Sequence, residues 1–95
     1  MDWFLKLSNR PFSAGLRLYT VEISGVTATI NEIKIIDVNL EHGSIKSFHY
    51  IYTVKPSGIL VWDRDDIDEN VSFHISLNEA RLYCDSLGKN FNAYI

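Results

Sequence analysis

At 95 residues, 46% apolar and 22% charged, the chain is long enough for one core and one domain spanning residues 1–95, and its balance excludes bulk disorder. The formal net charge of −3 is concentrated: residues 63–69 carry −4 and the remainder +1, which leaves no basic stripe of the kind a nucleic-acid binder needs. The single cysteine, Cys84, excludes an internal disulfide and fits a reducing compartment.

The N-terminal "MDWFLKLSNR" lacks a basic start, and its apolar stretch is too short for a signal peptide. No apolar run approaches the roughly 20 residues of a membrane span, so the expected location is cytoplasmic, with no membrane partner. Trp3, Leu5 and Leu7 alternate as in a strand, yet "DWFLKLS" also suits a short helical turn. "NRPFSAG" (9–15) reads as a loop.

Four extended segments follow. "RLYTVEI" (17–23) is rich in β-branched and aromatic residues and ends at Ser24-Gly25. "VTATINEIKIIDVNL" (26–40) ends at His42-Gly43, and "SIKSFHYIYTV" (44–54) at "KPSG" (55–58). "ILVW" (59–62) comes next. In the second segment the apolar phase slips. Val26, Ala28 and Ile30 share one face, Ile33 and Ile35 the other, and Ile36, Val38 and Leu40 return to the first. A β-bulge near Asn31–Glu32 or Ile35–Ile36 restores the phase, and a sheet apolar on both faces would also explain it.

After the acidic stretch "DRDDIDEN" (63–70) and the short "VSFHI", the sequence predicts a helix over 77–87. Ser76-Leu77-Asn78-Glu79 is a capping box. Leu77, Ala80, Tyr83, Cys84 and Leu87 form one apolar stripe, and Gly88 suits a left-handed cap. "FNAYI" trails behind and is expected to dock. The expected fold is therefore α+β: an antiparallel β-meander of four to five strands with one C-terminal α-helix packed on one face.

The acidic stretch poses the main chemical question. Asp66, Asp68 and Asn70 match the first three ligand positions of a calcium loop, but Val71 stands where glycine is needed and Leu77 where a bidentate glutamate is needed. Starting at Asp63 places Ile67 and His74 at ligand positions. Neither register works. His42, His49, His74 and Cys84 form no short transition-metal pair, although His49 and His74 could meet across strands. Cys84 lies on the apolar helix stripe and reads as a small core residue. No phosphate-binding glycine loop or nucleophile elbow is present, so no cofactor and no catalytic set are expected.

"KSFHYIYT" (46–53) partly matches an RNA-binding strand, which keeps open a single-stranded nucleic-acid reading through Phe48, Tyr50 and Tyr52. A carboxylate-based cation site or small enzyme is the other rival. The preferred expectation is recognition of a protein with a basic surface, through Trp62, Asp63, Asp65, Asp66, Asp68 and Glu69. An uncovered sheet face, if apolar, would serve a homodimer or a partner. In general character, a small acidic domain without enzyme motifs, the chain resembles many small phage or mobile-element accessory proteins. That resemblance implies an inhibitory or regulatory role.

Overall fold

A computed structural model describes residues 2–95 as an α+β domain with six strands in one sheet and two helices. The ambiguous start is a helix, α1 (Asp2–Ser8). Trp3, Phe4 and Leu7 point one way and join the core, while Leu5 is 61% exposed. The Ser8 hydroxyl donates to the Phe4 carbonyl at 2.8 Å, and Pro11 prevents continuation.

β1 (Arg17–Ser24) and β2 (Thr27–Glu41) are joined by Gly25-Val26, and β2 meets β3 (Ser44–Tyr52) through His42-Gly43. β3 pairs with β4 (Leu60–Asp63), which completes the predicted meander. β5 (Val71–His74) then departs from it by pairing antiparallel with β1 at the opposite side of the sheet, giving the order β4-β3-β2-β1-β5. α2 (Leu77–Ser86) follows. The expected docking tail is a sixth strand, β6 (Asn90–Tyr94), parallel to Thr27–Asn31 of β2. At 15 residues β2 is long enough to hold β6 and β3 end to end along one edge. The strand count thus exceeds the expected range by one.

Both explanations of the phase slip in β2 hold. Ile36 is the extra residue of a bulge between Ile35 and Asp37, and it returns Val38 to the face of Ile33 and Ile35. The sheet is also apolar on both faces. On one, Leu18, Ile33, Ile35, Phe48, Tyr50, Trp62 and Phe73 pack with Leu7 of α1. On the other, Val21, Ala28 and Ile30 meet Ala80 and Cys84 of α2. Two helices therefore cover opposite faces, where one helix on one face was expected. The part of the α2 side left open carries Lys34, Asp37, Asn39, Ser47, His49, Ile51 and Val61, by alternation with Ile35, Val38, Phe48, Tyr50 and Trp62. It is mostly polar, so the apolar condition set for a homodimer face is not met there.

The sheet curls around α1. The rings of Phe48 on β3 and Phe73 on β5 lie 5.0 Å apart, although β2 and β1 separate their strands. In a flat sheet three strand spacings would hold them roughly 14 Å apart. Trp3 reaches both margins of the curl, at 5.8 Å from Trp62 and 5.4 Å from Phe73.

Candidate protein-binding groove

The acidic stretch is the crossover that carries the chain from β4 at one margin of the sheet to β5 at the other. Its first half is tied down. A second register shift, between Asn39 and Leu40, leaves Lys46 as the extra residue of β3. The Lys46 ammonium donates to Asp63 Oδ1 and Asp65 Oδ2, both at 2.6 Å. Those bonds raise the lysine pKa, and the Lys46 contact lowers that of Asp63. Asp63 Oδ1 also accepts the Asp65 N–H at 2.8 Å, and Arg64 reaches Glu41 at 3.2 Å.

The second half makes no ion pair among the described residues. Asp68 Oδ1 accepts the Asn70 N–H at 2.9 Å, and its carbonyl accepts the Val71 N–H at 3.1 Å. Among the described residues the carboxylates of Asp66 and Glu69 have no partner, and both are exposed. Of the predicted contact set, Asp63 and Asp65 are thus engaged by Lys46, whereas Asp66, Asp68 and Glu69 face solvent.

Trp62 requires a correction. It is 5% exposed, stacked between Phe48 at 5.3 Å and Phe4 at 5.2 Å, so it cannot serve as a surface anchor. The alternation of a strand sends Trp62 and Asp63 to opposite faces. The aromatic platform considered for nucleic acid is likewise internal. Phe48 and Tyr50 are buried, and half-buried Tyr52 donates its hydroxyl to Glu22 at 2.7 Å. Burial and Glu22 push the Tyr50 hydroxyl up to about 12.

Asp68 and Glu69 form one end of a groove of 940 Å³ between the two helices. Asp2, Trp3 and Lys6 line it from α1, and Glu79, Leu82, Tyr83 and Ser86 from α2. Ile67, Val71 and His74 complete it. α2 is set firmly. Ser76 Oγ accepts the Glu79 N–H at 3.1 Å, which makes one of the two capping-box bonds. At the other end Gly88, at φ 66°, donates to Asp85 O, and Lys89 donates to Cys84 O, both at 3.0 Å, a Schellman closure.

His74 sits at the back of the groove, 7% exposed, with its ring 4.8 Å from that of Tyr83. Burial, helped by the charge of Lys6, pulls its pKa down to about 4, so the ring is neutral at pH 7. Its Nε2 shares a 2.8 Å hydrogen bond with Ser72 Oγ. The pair resembles a nucleophile and its base, yet Ser72 is 2% exposed and does not line the groove. Cys84 is fully buried against the sheet, and burial pushes its thiol pKa up. His49 lies elsewhere, 2.6 Å from Asp37. Among the described residues no three or more His, Cys, Asp or Glu are grouped to hold a metal ion, and no helix is long and apolar enough to cross a membrane.

Sequence reasoning placed the acids but missed Trp3, His74, Glu79, Leu82 and Tyr83. Leu82 alone carried a local signal, an apolar residue off the buried stripe of an otherwise regular amphipathic helix. Trp3 reaches the groove from the far end of the chain, and only the fold brings it there. Comparison with family models, with curated proteins and with solved structures finds no match to this chain.

Proposed function

We propose that the chain is a small non-catalytic binding module of the cytoplasm that regulates or inhibits a partner protein with a basic surface. The role is that of an accessory protein of the phage or mobile-element type. Asp66, Asp68 and Glu69 make the charged contact, and the apolar groove beside them takes the place first assigned to Trp62. The observation that carries this reading is the junction of Asp68 and Glu69, carboxylates without an ion-pair partner among the described residues, with that groove. Charge steers the encounter, and a desolvated apolar centre supplies most of the affinity.

The test is affinity capture from the native host at low and high salt, with wild type beside the triple variant Asp66→Asn, Asp68→Asn, Glu69→Gln. A basic protein retained by wild type, released by salt and lost with the triple variant is the expected result. Capture that is indifferent to both changes overturns the reading.

A further inference from the structure

We infer that the groove between α1 and α2 seats an arginine- or lysine-bearing peptide segment of the partner, its cation lying among Asp2, Asp68, Glu69 and Glu79. This deepens the protein-binding reading and rests on it. The charge balance selects the occupant, because four carboxylates line the groove against one cation, Lys6. The apolar lining selects a peptide over a free ion. Leu82 is 58% and Ile67 39% exposed, and both gain by being covered. At 940 Å³ the groove has the size of a site for a multi-atom ligand. Trp3 and Tyr83 add aromatic surface on which a guanidinium can stack.

His74 is the second, independent pointer. It is 7% exposed, its Nε2 is occupied by Ser72, and its Nδ1 has no partner among the described residues. A ring nitrogen without a protein partner at a groove wall is a hydrogen-bonding position for a ligand. If the Ser72 hydroxyl donates to Nε2, Nδ1 carries the proton and can bond a peptide carbonyl. If it accepts, Nδ1 can take an N–H from the peptide. Strand addition along β5 is a different mode, and burial argues against it. Ser72, Phe73 and His74 are all buried, so the outer margin of β5 is not an open template.

The probe is acetyl-Leu-Arg-Leu-Arg-Leu-amide, titrated into the ¹⁵N-labelled chain and followed by NMR, with the same peptide carrying Gln for Arg as comparison. We expect saturable shifts at the Trp3 indole and at the Leu82 and Tyr83 amides. The Arg peptide should bind at least about tenfold more tightly than the Gln peptide, with the advantage shrinking as salt rises. Leu82→Arg should weaken it by about tenfold, whereas Leu5→Arg, an equal charge change on the 61% exposed outer side of α1, should not. Neither site is buried, so both variants keep the fold. Absent binding, equal binding of the two peptides, or shifts outside the groove overturn the inference. Capture of the partner separates the two levels. Loss with the acidic triple variant but retention with Leu82→Arg removes the groove inference and leaves the protein-binding reading standing. Capture indifferent both to salt and to the triple variant removes the reading itself.

Discussion

Under α1 the fully buried side chains include large rings, whereas under α2 none of them is aromatic. On the first side Phe48 touches Phe12, Tyr50, Trp62 and Phe73, with ring centroids 5.0–5.9 Å apart. On the second, Ala28 and Ala80 are the smallest side chains in the contact, with Cys84, Val21 and Ile30 beside them. Rings fill the wide hollow of a curled sheet, whereas alanines let a helix settle close to a strand pair. The two sides should therefore fail in opposite ways, one by emptying and the other by crowding.

Phe73→Ala is expected to do most damage. The ring is 0% exposed and contacts Trp3, Phe48 and Tyr50, so its removal should cost about 3–5 kcal/mol. A small domain has only about 5–15 kcal/mol in total, so urea unfolding should show a large fall in midpoint. A midpoint near wild type would mean that α1 and the rings do not pack as one core.

Acid should act next, and on the α2 side. The folded-state pKa of His74, about 4, lies below the ordinary imidazole value of 6.5. Between those values the unfolded chain binds a proton that the folded chain does not, so stability falls as pH drops through this window. The full difference is reached below about pH 4 and amounts to roughly 3 kcal/mol. Lys6 from α1 opposes the same protonation, and Tyr83 from α2 packs on the ring. A His74→Gln variant should lose this part of the slope in unfolding experiments between pH 6.5 and 4. An unchanged slope would place the ring in water.

Crowding is the third expectation. Ala80→Leu adds volume at a 0% exposed position and should cost about 1–3 kcal/mol by lifting α2. Because α2 forms one wall of the groove, the same variant should disturb the Leu82 and Tyr83 amide signals. If Ala80→Leu is neutral while Phe73→Ala is severe, α2 is held by its caps and β6 more than by close packing.

Local chemistry explains what the sequence revealed. The Ser76 cap, the Gly88 stop and the Ile36 bulge each depend on residues within a few positions, so pattern alone located them. β6 escaped because it is only five residues long and four of them are exposed, so its pattern carries little core signal. The jump of β5 to the far side of the sheet escaped for another reason. Seven mostly polar residues can close a tight turn or cross a curled sheet, and the choice lies in the ring packing that sets the curl. The acidic residues were legible as composition, but their division was not. That division depends on Lys46, which is 16 residues before Trp62 in the chain and reaches Asp63 only because a bulge frees it.

The smallest effect lies outside both cores. Glu41 pairs with Ser44, so His42-Gly43 is a two-residue hairpin loop, and both φ angles are positive, 53° and 78°. That is the type I′ pattern, which favours Asn-Gly or Gly-Gly. A histidine held at positive φ is strained, because its Cβ crowds the backbone. His42→Gly relieves the crowding but frees the unfolded chain, so the gain should be about 0.5 kcal/mol, or roughly 2–4 °C in Tm. Both tip residues are exposed. The gain should therefore persist when combined with Phe73→Ala or with Ala80→Leu. Non-additivity with one of the two would show which core the hairpin leans on. Strong coupling to Phe73→Ala would mean that the bulged strands transmit strain from the tip into the ring-filled side.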